Sequence, residues 1–445
     1  MVSSVLIANR GEIVPRIIRT CKEMGISTVA VCSEADMDAP YLHMADEAVL
    51  IGPANPAQSY LNIEAIIEAA RKTRAQAVHP GYGFLSERGA FAEAVVEAGL
   101  TWVGPSPQVL RSISSKSRCR KIAHSASVPV IPGTIGLVNS AAEVVTFGKE
   151  NGWPVFLKLD KGGGGKGIER VRGEDDAEAV FDRARRIGQM SFGSGDIYIE
   201  AVMNKPRHIE VQFLADGEGN CVCLGERECS VQRRHQKIIE EALSVVVSED
   251  NRQQLFDQTM RIVKKIGYLG AGTLEFLRSD AGDYYFMEIN ARIQVEHPVT
   301  EYLTGIDIVQ QQLAIASGEA LGFSQRDVTF NGHAIEARVY AEDPETFIPS
   351  PGTITHLALP DHGPHVRIDH ALQEHAIVPP YYDPMLAKVI AWGEDRATAC
   401  DRLCRALSGF QIEGIKTTTP LNLRILKNPA FRQGDFDTGF IDNVL

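Results

Sequence analysis

Apolar and polar residues alternate without a break from Met287 to Glu296. A period of two residues predicts a β-strand with one buried face and one polar face. The polar positions are occupied, in order, by Glu288, Asn290, Arg292, Gln294 and Glu296. A solvated face would be a loose mixture of Lys, Thr, Ser and Glu. This order of carboxylate, amide, guanidinium, amide and carboxylate instead indicates metal ligands, an anion-binding group and a possible base.

A second strand is predicted just upstream, over residues 272–277. Residues 279–283 are typical of a turn, so the two runs predict an antiparallel hairpin that would place Glu275 opposite Glu288. Two facing carboxylates indicate a bound cation or one raised pKa. With Asn290 nearby, the oxygen atoms would suit Mg²⁺. The alternative is a half-buried hairpin with exposed polar residues.

The pattern outside this hairpin divides the chain into three segments. Over residues 1–113, short β-branched runs alternate with helical segments, which predicts a doubly wound parallel sheet. The first strand is not followed by G-x-G-x-x-G, so a dinucleotide site is excluded. Residues from about 114 to 200 predict a smaller α/β insert, and residues from about 201 to 325 predict antiparallel strands, the acidic hairpin and two helices. Residues 331–445 return to a mainly antiparallel pattern.

Residues 158–167 read Lys-Leu-Asp-Lys-Gly-Gly-Gly-Gly-Lys-Gly. Consecutive glycines allow backbone N–H groups to converge on phosphate oxygens, and Lys158 and Lys166 add positive charge. The loop is not a Walker A motif, because Gly167 stands where Ser or Thr is required. The alternative is a flexible linker, but a buried type of strand with its own lysine precedes the glycines.

Two further patterns concern charge. Residues 232–237 are rich in hydrogen-bond donors, and with Arg292 they could form a cradle for a small anion, for which Glu296 could be the base. The alternative is a solvated loop balanced by Glu240 and Glu241. Residues 336–340 also alternate carboxylate and guanidinium, and by themselves they favour an ion pair on a surface strand.

Composition narrows the class of protein. A length of 445 residues predicts two or three domains. The net charge of −12 argues against nucleic-acid and anionic-membrane partners, and no apolar run approaches a membrane span. The N-terminus shows no secretory signal, and the eight cysteines show no disulfide or zinc spacing. We therefore expect a cytoplasmic protein with reduced thiols.

Taken together, the motifs match one family over nearly the whole chain. The chain resembles the biotin carboxylase component of biotin-dependent carboxylases, a branch of the ATP-grasp ligases. The matching segments are residues 7–13, 79–87, the glycine-rich loop, 229–237, 292–301 and 381–385. The resemblance implies an N-terminal Rossmann-like domain (1–113), an ATP-grasp domain (114–325) with a glycine-rich lid at about residues 131–203, and a C-terminal biotin carboxylase domain (331–445).

The resemblance also implies a role for each matching residue. It assigns ATP binding to Lys116, Lys158, Gly164, Gly165, Glu200, Met203, His208, Gln232, His235, Glu275 and Leu277. It assigns Mg²⁺ or Mn²⁺ to Glu275, Glu288 and Asn290, and biotin to Tyr82 and Arg338. Bicarbonate would be held by Lys237, Arg292, Gln294 and the backbone of Val295. The catalytic residues would be Lys237, Arg292, Glu296 as the base and Arg338 as the charge that stabilises the biotin enolate.

The reaction implied is ATP- and bicarbonate-dependent carboxylation of biotin through carboxyphosphate, catalysed by a ligase. The chain has no Ala-Met-Lys-Met type biotinyl site. A biotinylated carrier protein and a carboxyltransferase are therefore expected on other chains, or on a longer parent, and the family implies a homodimer. Two alternatives remain open: another ATP-grasp ligase, and a regulatory subunit without catalysis.

One segment departs from the family pattern. Leu159, Asp160 and Lys161 replace the usual small residues before the glycines, and Ile168-Glu169 replaces Met-Arg. A carboxylate near a triphosphate is unfavourable, although Lys161 could offset it. We therefore expect the departure to alter ATP affinity and lid closure, with Asp160 weakening the binding of ATP and Lys161 strengthening it.

Overall fold

The N-terminal segment folds into a parallel sheet covered by helices, as predicted. The computed structural model describes residues 1–161, 167–360 and 362–444. The strands are β1 (Ser4–Ile7), β2 (Ser27–Cys32), β3 (Glu47–Leu50), β4 (Ala77–His79) and β5 (Thr101–Trp102). They pair in the order β3-β2-β1-β4-β5, all parallel. The helices are α1 (Ile13–Glu23), α2 (Ile63–Lys72), α3 (Gly89–Glu97) and α4 (Pro107–Ile113).

The α/β insert forms a small three-stranded antiparallel sheet with its own apolar core. Its elements, preceded by α5 (Lys116–Ser125), are α6 (Ala141–Asn151), β6 (Val155–Leu159), β7 (Ile168–Val171), α7 (Ala177–Phe192) and β8 (Ile197–Ala201). The strand order is β7-β6-β8. The glycine-rich loop connects β6 to β7, and residues 162–166 of that loop lie outside the described residues.

An eight-stranded antiparallel sheet extends across the second and third segments. The second segment supplies β9 (Arg207–Ala215), β10 (Cys221–Arg233), β11 (Gln236–Ala242), α8 (Glu249–Ile266), β12 (Gly270–Arg278), β13 (Tyr284–Asn290), α9 (His297–Thr304) and α10 (Ile308–Ala316). The third segment supplies β14 (His333–Tyr340), β17 (Val366–His370) and β19 (Met385–Gly393). The order is β13-β12-β9-β10-β11-β14-β19-β17, so hydrogen bonding is continuous from the acidic hairpin to the C-terminal strands.

The remaining C-terminal elements surround this sheet. They are β15 (Gly352–Thr353), β16 (His356–Ala358), β18 (Ile377–Val378), α11 (Arg396–Gly409), β20 (Gln411–Glu413), α12 (Thr419–Lys427), α13 (Pro429–Gln433) and α14 (Phe440–Val444). Apolar residues of α11 and α12 form one core with one face of β14 and β19. On the opposite face, α9 packs Val299 and Leu303 against Ala334 and Ile390. The parallel-sheet and antiparallel-sheet expectations are both confirmed.

Local sequence signals explain where the long helix α8 begins and ends. The Ser248 hydroxyl accepts a hydrogen bond from the Asn251 N–H at 3.2 Å, which caps the first turn. Gly267 ends the helix in the left-handed conformation with φ of 62°, which glycine adopts without strain. None of the helices in the described ranges combines the length and the apolar character needed to cross a membrane.

Candidate active site

The acid row, a line of charged side chains formed by Glu288, Glu275, Glu210 and Arg227, crosses four neighbouring strands of the eight-stranded sheet. Glu275 pairs with Glu288 on β13 and with Glu210 on β9, and Glu210 pairs with Arg227 on β10. The predicted pairing of Glu275 with Glu288 is therefore confirmed. It depends on a bulge at Met287, because the register of β12 and β13 shifts by one residue next to Glu275.

Glu275 is only 4 % exposed, and cations and amides surround it. Lys237 Nζ lies 3.1 Å from Oε1, and His208 Nε2 lies 3.0 Å from Oε2. The side-chain amides of Asn290 and Gln294 donate to Oε1 at 2.8 and 3.1 Å. Burial by itself raises the pKa of Glu275, but Lys237 and His208 lower it well below its usual value. The alternative of a half-buried hairpin with exposed polar residues is wrong, because Glu275 and Asn290 are buried.

The three predicted metal ligands lie together at one end of this row. Glu288 is half-buried and forms an ion pair with Lys116, while Asn290 is buried and hydrogen-bonded to Glu275. The Glu288 and Asn290 side chains lie on one face of β13, two residues apart. Carboxylate and amide oxygens are the ligands that Mg²⁺ prefers, so this donor set fits a divalent cation.

The polar face that predicted one long strand is divided between a strand and a loop. β13 ends at Asn290, and α9 begins directly after Glu296. The expectation of a strand as far as Glu296 is wrong. The alternation persists in the loop because Ala291 and Ile293 point into the core. Pro298, in the first turn of α9, favours a helix start there rather than a continued strand.

The loop presents the residues predicted to hold bicarbonate. Arg292 Nε lies 3.2 Å from a Glu87 carboxylate oxygen. Gln294 is held by its amide hydrogen bond in the acid row, as described above. The Val295 carbonyl oxygen accepts a hydrogen bond from Lys388 Nζ at 2.9 Å. Because Lys388 is fully buried, this contact fixes the backbone of the loop from below.

Lys237 reaches the acid row because of a second bulge. Residues 232–237 span the end of β10, a tight turn and the start of β11. The pairing of these strands skips Ile238, which turns the Lys237 side chain onto the acidic face. Lys237 Nζ lies 2.6 Å from Glu210 and 2.6 Å from Glu296. The alternative of a solvated loop balanced by the two following glutamates is wrong, because both glutamates are buried in the sheet.

Glu296, the predicted base, lies between two cations. Its Oε1 is 2.6 Å from Lys237 Nζ, and its Oε2 is 2.9 Å from an Arg338 nitrogen. Burial by itself raises the pKa of Glu296, but Lys237, Arg338 and Arg227 lower it well below its usual value. The Glu296 carboxylate is therefore ionised at neutral pH.

Arg338 projects from β14, whose residues are all buried. The expected ion pair on a surface strand is therefore wrong, although the pairing itself exists. Arg338 Nε lies 2.5 Å from Glu240 on β11, and another nitrogen of the same guanidinium contacts Glu296. Asn422 on α12 donates a hydrogen bond to the Arg338 carbonyl at 2.8 Å, which fixes the backbone.

Tyr82, the other residue predicted to bind biotin, is connected to the loop by hydrogen bonds and ion pairs. Its hydroxyl donates to the buried carboxylate of Glu12. The second oxygen of Glu12 lies 3.1 Å from Lys388 Nζ, and Lys388 in turn contacts Val295. The series of contacts Tyr82–Glu12–Lys388–Val295 therefore connects the N-terminal segment to the loop between β13 and α9.

Most of the residues predicted to bind ATP lie on two sheets, the eight-stranded sheet and the small sheet β7-β6-β8. On the sheet, His208 pairs with Leu277, and Gln232 is buried near the end of β10. His235 lies in the turn after β10 with a positive φ of 67°. Burial and the charge of Lys158, on β6, both lower the pKa of His235. The small sheet β7-β6-β8, which is the predicted lid, therefore lies near this turn.

On the lid side, an ion-pair network orients the lysine of β6. Lys158 Nζ lies 2.5 Å from Glu200 on β8, and Glu200 lies 2.5 Å from Arg120 on α5. Met203 follows β8 and is half-buried. Gly164 and Gly165, predicted to cover the phosphates, lie outside the described residues.

The Asp160 side chain, which was expected to act on bound phosphate through its charge, packs against the first turn of α5. Its side chain is 5 % exposed and accepts hydrogen bonds from the Ser117 N–H at 2.7 Å and the Ser115 hydroxyl at 3.0 Å. Its carbonyl oxygen accepts from the Lys116 N–H at 3.1 Å. Asp160 therefore holds the first turn of α5, where Lys116 begins the helix, and the helix dipole favours its charge there.

Sequence reasoning missed Glu210 and Arg227 as members of the site. Glu210 offers a ligand atom within 4.8 Å of those of His208 and Glu275, and Arg227 Nε lies 2.5 Å from Glu210. The signal that could have found Glu210 is the alternation His208-x-Glu210-x-Gln212 between apolar residues. It repeats the pattern of the acidic hairpin on a neighbouring strand.

The β6–β7 hairpin, the facing carboxylates Glu275 and Glu288, and the lysines that pair with carboxylates around them indicate an ATP-grasp type of ligase. The family model described as "Biotin carboxylase, N-terminal domain" matches residues 1–110. "Carbamoyl-phosphate synthase L chain, ATP binding domain" matches residues 115–323, and "Biotin carboxylase C-terminal domain" matches residues 336–443. The chain belongs to the biotin carboxylase family, which confirms the family, the enzyme class and the function expected from the resemblance.

Individual relatives agree over their full length. "Biotin carboxylase 2" of Bacillus subtilis is 48% identical over 445 residues, which cover 100% of both chains. A biotin carboxylase structure from Campylobacter jejuni, described as a complex with ATP, has a TM-score of 0.97 at 44% identity and covers 99% of each chain. The biotin carboxylase domain dimer of Hydrogenobacter thermophilus 2-oxoglutarate carboxylase has a TM-score of 0.96 at 44% identity, with 99% and 97% covered. The latter was solved with MgADP, ADP and bicarbonate.

Proposed function

We propose that this protein carries out the ATP- and bicarbonate-dependent carboxylation of biotin, as the first half-reaction of a larger carboxylase. The observation that supports this most directly is the position of Glu296 between Lys237 and Arg338, next to the acid row. A base flanked by two cations and facing a metal-type carboxylate pair suits activation of a small anion by a nucleotide.

The nucleotide would bind between the sheet and the lid. Lys116 and Lys158 would contact its phosphates, and Glu275, Glu288 and Asn290 would hold Mg²⁺. Bound Mg²⁺ neutralises the charge of the phosphates during transfer. Lys116 now pairs with Glu288, so metal binding to Glu288 would release Lys116 for phosphate.

Bicarbonate would bind to Lys237, Arg292, Gln294 and the Val295 backbone. Glu296 would take its proton, and a bicarbonate oxygen would attack the γ-phosphorus of ATP to give carboxyphosphate and ADP. Carboxyphosphate would break down to CO₂ and phosphate. That phosphate would remove the proton from the biotin ureido nitrogen, which then attacks CO₂. Arg338 would stabilise the negative charge on the biotin oxygen.

The partners belong to the same proposal. We expect the biotin to arrive on a carrier protein and the product to pass to a carboxyltransferase, both outside this sequence. We also expect a homodimer, since the biotin carboxylase domain of the Hydrogenobacter protein was solved as a dimer. Cytoplasmic location stays an expectation. Light scattering coupled to gel filtration tests the dimer, and co-purification with a biotin blot identifies the carrier.

Steady-state assays test the reaction. ADP release should require both bicarbonate and Mg²⁺ and should rise with free biotin, and label from bicarbonate should appear in biotin. Chelation of Mg²⁺ should abolish both signals. Equal ADP release with and without bicarbonate would contradict the proposal and would favour another ATP-grasp ligase. Nucleotide binding without turnover would favour a regulatory subunit.

A further inference from the structure

Two fully buried glutamates face each other behind Arg338. Glu240 on β11 pairs directly with Glu336 on β14, and neither side chain is exposed. Arg338 Nε lies 2.5 Å from Glu240. Within the described residues, no side-chain oxygen of either glutamate has a hydrogen-bond partner, but Glu240 takes part in an ion pair and Glu336 does not. Two ionised carboxylates on directly opposed residues of neighbouring strands would repel each other strongly in a buried environment.

We propose that this pair holds a single negative charge, with Glu336 protonated and Glu240 ionised, and that Glu240 is the positioning residue for Arg338. The proposal rests on the function proposed above for Arg338. Arg338 then has two anionic partners with different tasks. Glu296 can lose its charge during the reaction, whereas Glu240 keeps its charge and holds the guanidinium in place.

The charged groups around the pair support this distribution of charge. Those that face it are Arg338 on β14, Lys237 on β11, Lys388 on β19 and Glu296 in the loop before α9. Lys388 is occupied by Glu12 at 3.1 Å and by the Val295 carbonyl, so Glu336 has no cation of its own. α9, which covers this face, contributes His297, whose pKa burial lowers well below the usual value, so it is uncharged.

The pKa values point in the same direction. Burial raises the pKa of Glu336 well above its usual value, and the charge of Glu240 adds to this rise while Lys388 opposes it. Burial also raises the pKa of Glu240, but the positive charge of Arg338 opposes that rise. When two carboxyls interact, their titrations are linked, and the one beside the cation ionises first.

The position of Glu240 has a consequence for the order of events. When Glu296 takes the proton of bicarbonate, its attraction for Arg338 falls. The Arg338 nitrogen that contacts Glu296 then becomes free for the biotin oxygen, while Nε stays on Glu240. Proton uptake by the base would in this way make the enolate-stabilising group available at the step that needs it.

Three glutamine variants test the pair. Glu240→Gln should lower the rate of biotin carboxylation by about 10- to 100-fold, the usual scale for residues that orient a catalytic group. The loss of bicarbonate-dependent ATP cleavage without biotin should be smaller. Glu336→Gln replaces a neutral acid by a neutral amide and should leave both rates unchanged at pH 7. Glu241→Gln is the matched control: Glu241 is the next residue on β11, equally buried, but pairs with His333 and Arg396.

Glu241→Gln should change stability without changing the ratio of the two rates. A loss in Glu336→Gln equal to that in Glu240→Gln, or the same altered ratio in Glu241→Gln, would overturn the proposal. Infrared spectroscopy detects the protonated carboxyl directly, without measuring catalytic activity. The carbonyl stretch of a protonated carboxyl should disappear in Glu336→Gln and persist in Glu241→Gln, and its persistence in Glu336→Gln would also overturn the proposal. A wild-type protein that cleaves no ATP would refute the proposed function but leave the infrared result intact.

Discussion

The position of Asp160 reverses the effect that its charge would have beside a bound triphosphate. Its carboxylate accepts two hydrogen bonds from the first turn of α5 instead of approaching the phosphates. Asp160→Ala should therefore loosen the turn that carries Lys116. Loss of a capping carboxylate costs about 1–2 kcal/mol of stability. If about 1 kcal/mol of this reaches the contact between Lys116 and phosphate, the Michaelis constant for ATP should rise about fivefold.

Asp395→Ala is the matched control for this experiment. Asp395 Oδ1 accepts the Thr398 N–H at 2.7 Å and caps α11, outside the candidate site. Its loss should lower the free energy of unfolding in urea without changing the Michaelis constant for ATP. Asp160→Asn, which keeps one acceptor oxygen, should recover part of the effect of Asp160→Ala.

Salt distinguishes the two explanations of the Asp160 variant. A positional effect of a buried side chain should persist at high ionic strength, whereas direct repulsion of a triphosphate would be screened. The assay is a steady-state ATP titration of each variant at low and high salt. A lower Michaelis constant in Asp160→Ala would refute this reasoning, because it would mean that the carboxylate acts on the nucleotide through its charge. Lys161→Ala, at an exposed position, should raise the constant only at low salt.

Four other outcomes follow from the site. Glu296→Gln should reduce bicarbonate-dependent ATP cleavage by ~100-fold or more, and full activity in an ADP-release assay would show that another group is the base. Arg338→Ala should reduce carboxybiotin formation by ~100-fold while sparing much of the ATP cleavage, and equal losses in both assays would argue against its role at the enolate. Glu288→Gln should raise the Mg²⁺ concentration needed for half-maximal activity, and an unchanged Mg²⁺ titration would remove Glu288 from the ligand set. Burial raises the pKa of Glu336 well above its usual value, so the folded state keeps a proton on Glu336 at pH values where the unfolded chain has lost it. The free energy of unfolding should therefore fall as pH rises above the usual range of a glutamate. Urea unfolding at several pH values should show a smaller fall in Glu336→Gln, and an identical fall would place the proton elsewhere.

The family match was visible from the sequence because its chemistry is concentrated in short strings. The facing of Glu275 and Glu288 could be predicted because a hairpin is a local structure, although the exact pairing also needs the bulge at Met287, which the turn does not specify. The polar positions from Glu288 to Glu296 could also be interpreted from the sequence as candidate ligands. The backbone conformation of this segment could not be predicted, because alternation indicates only which side chains are buried. The loop beyond Asn290 buries Ala291 and Ile293 just as a strand would.

The tertiary structure decided every contact between distant segments. Lys237 joins the acid row only because a bulge at Ile238 turns it to that face, and a single skipped residue leaves no mark in the apolar pattern. Glu240 and Glu336 are 96 positions apart in sequence, and their shared burial results from the pairing of β11 with β14. Asp160 was expected to act as a charge beside phosphate because the run of glycines begins two residues after it. Its neighbours in space are N–H and O–H donors of α5, since hydrogen bonds and charge effects depend on distance in the folded chain, which the order of residues alone does not determine.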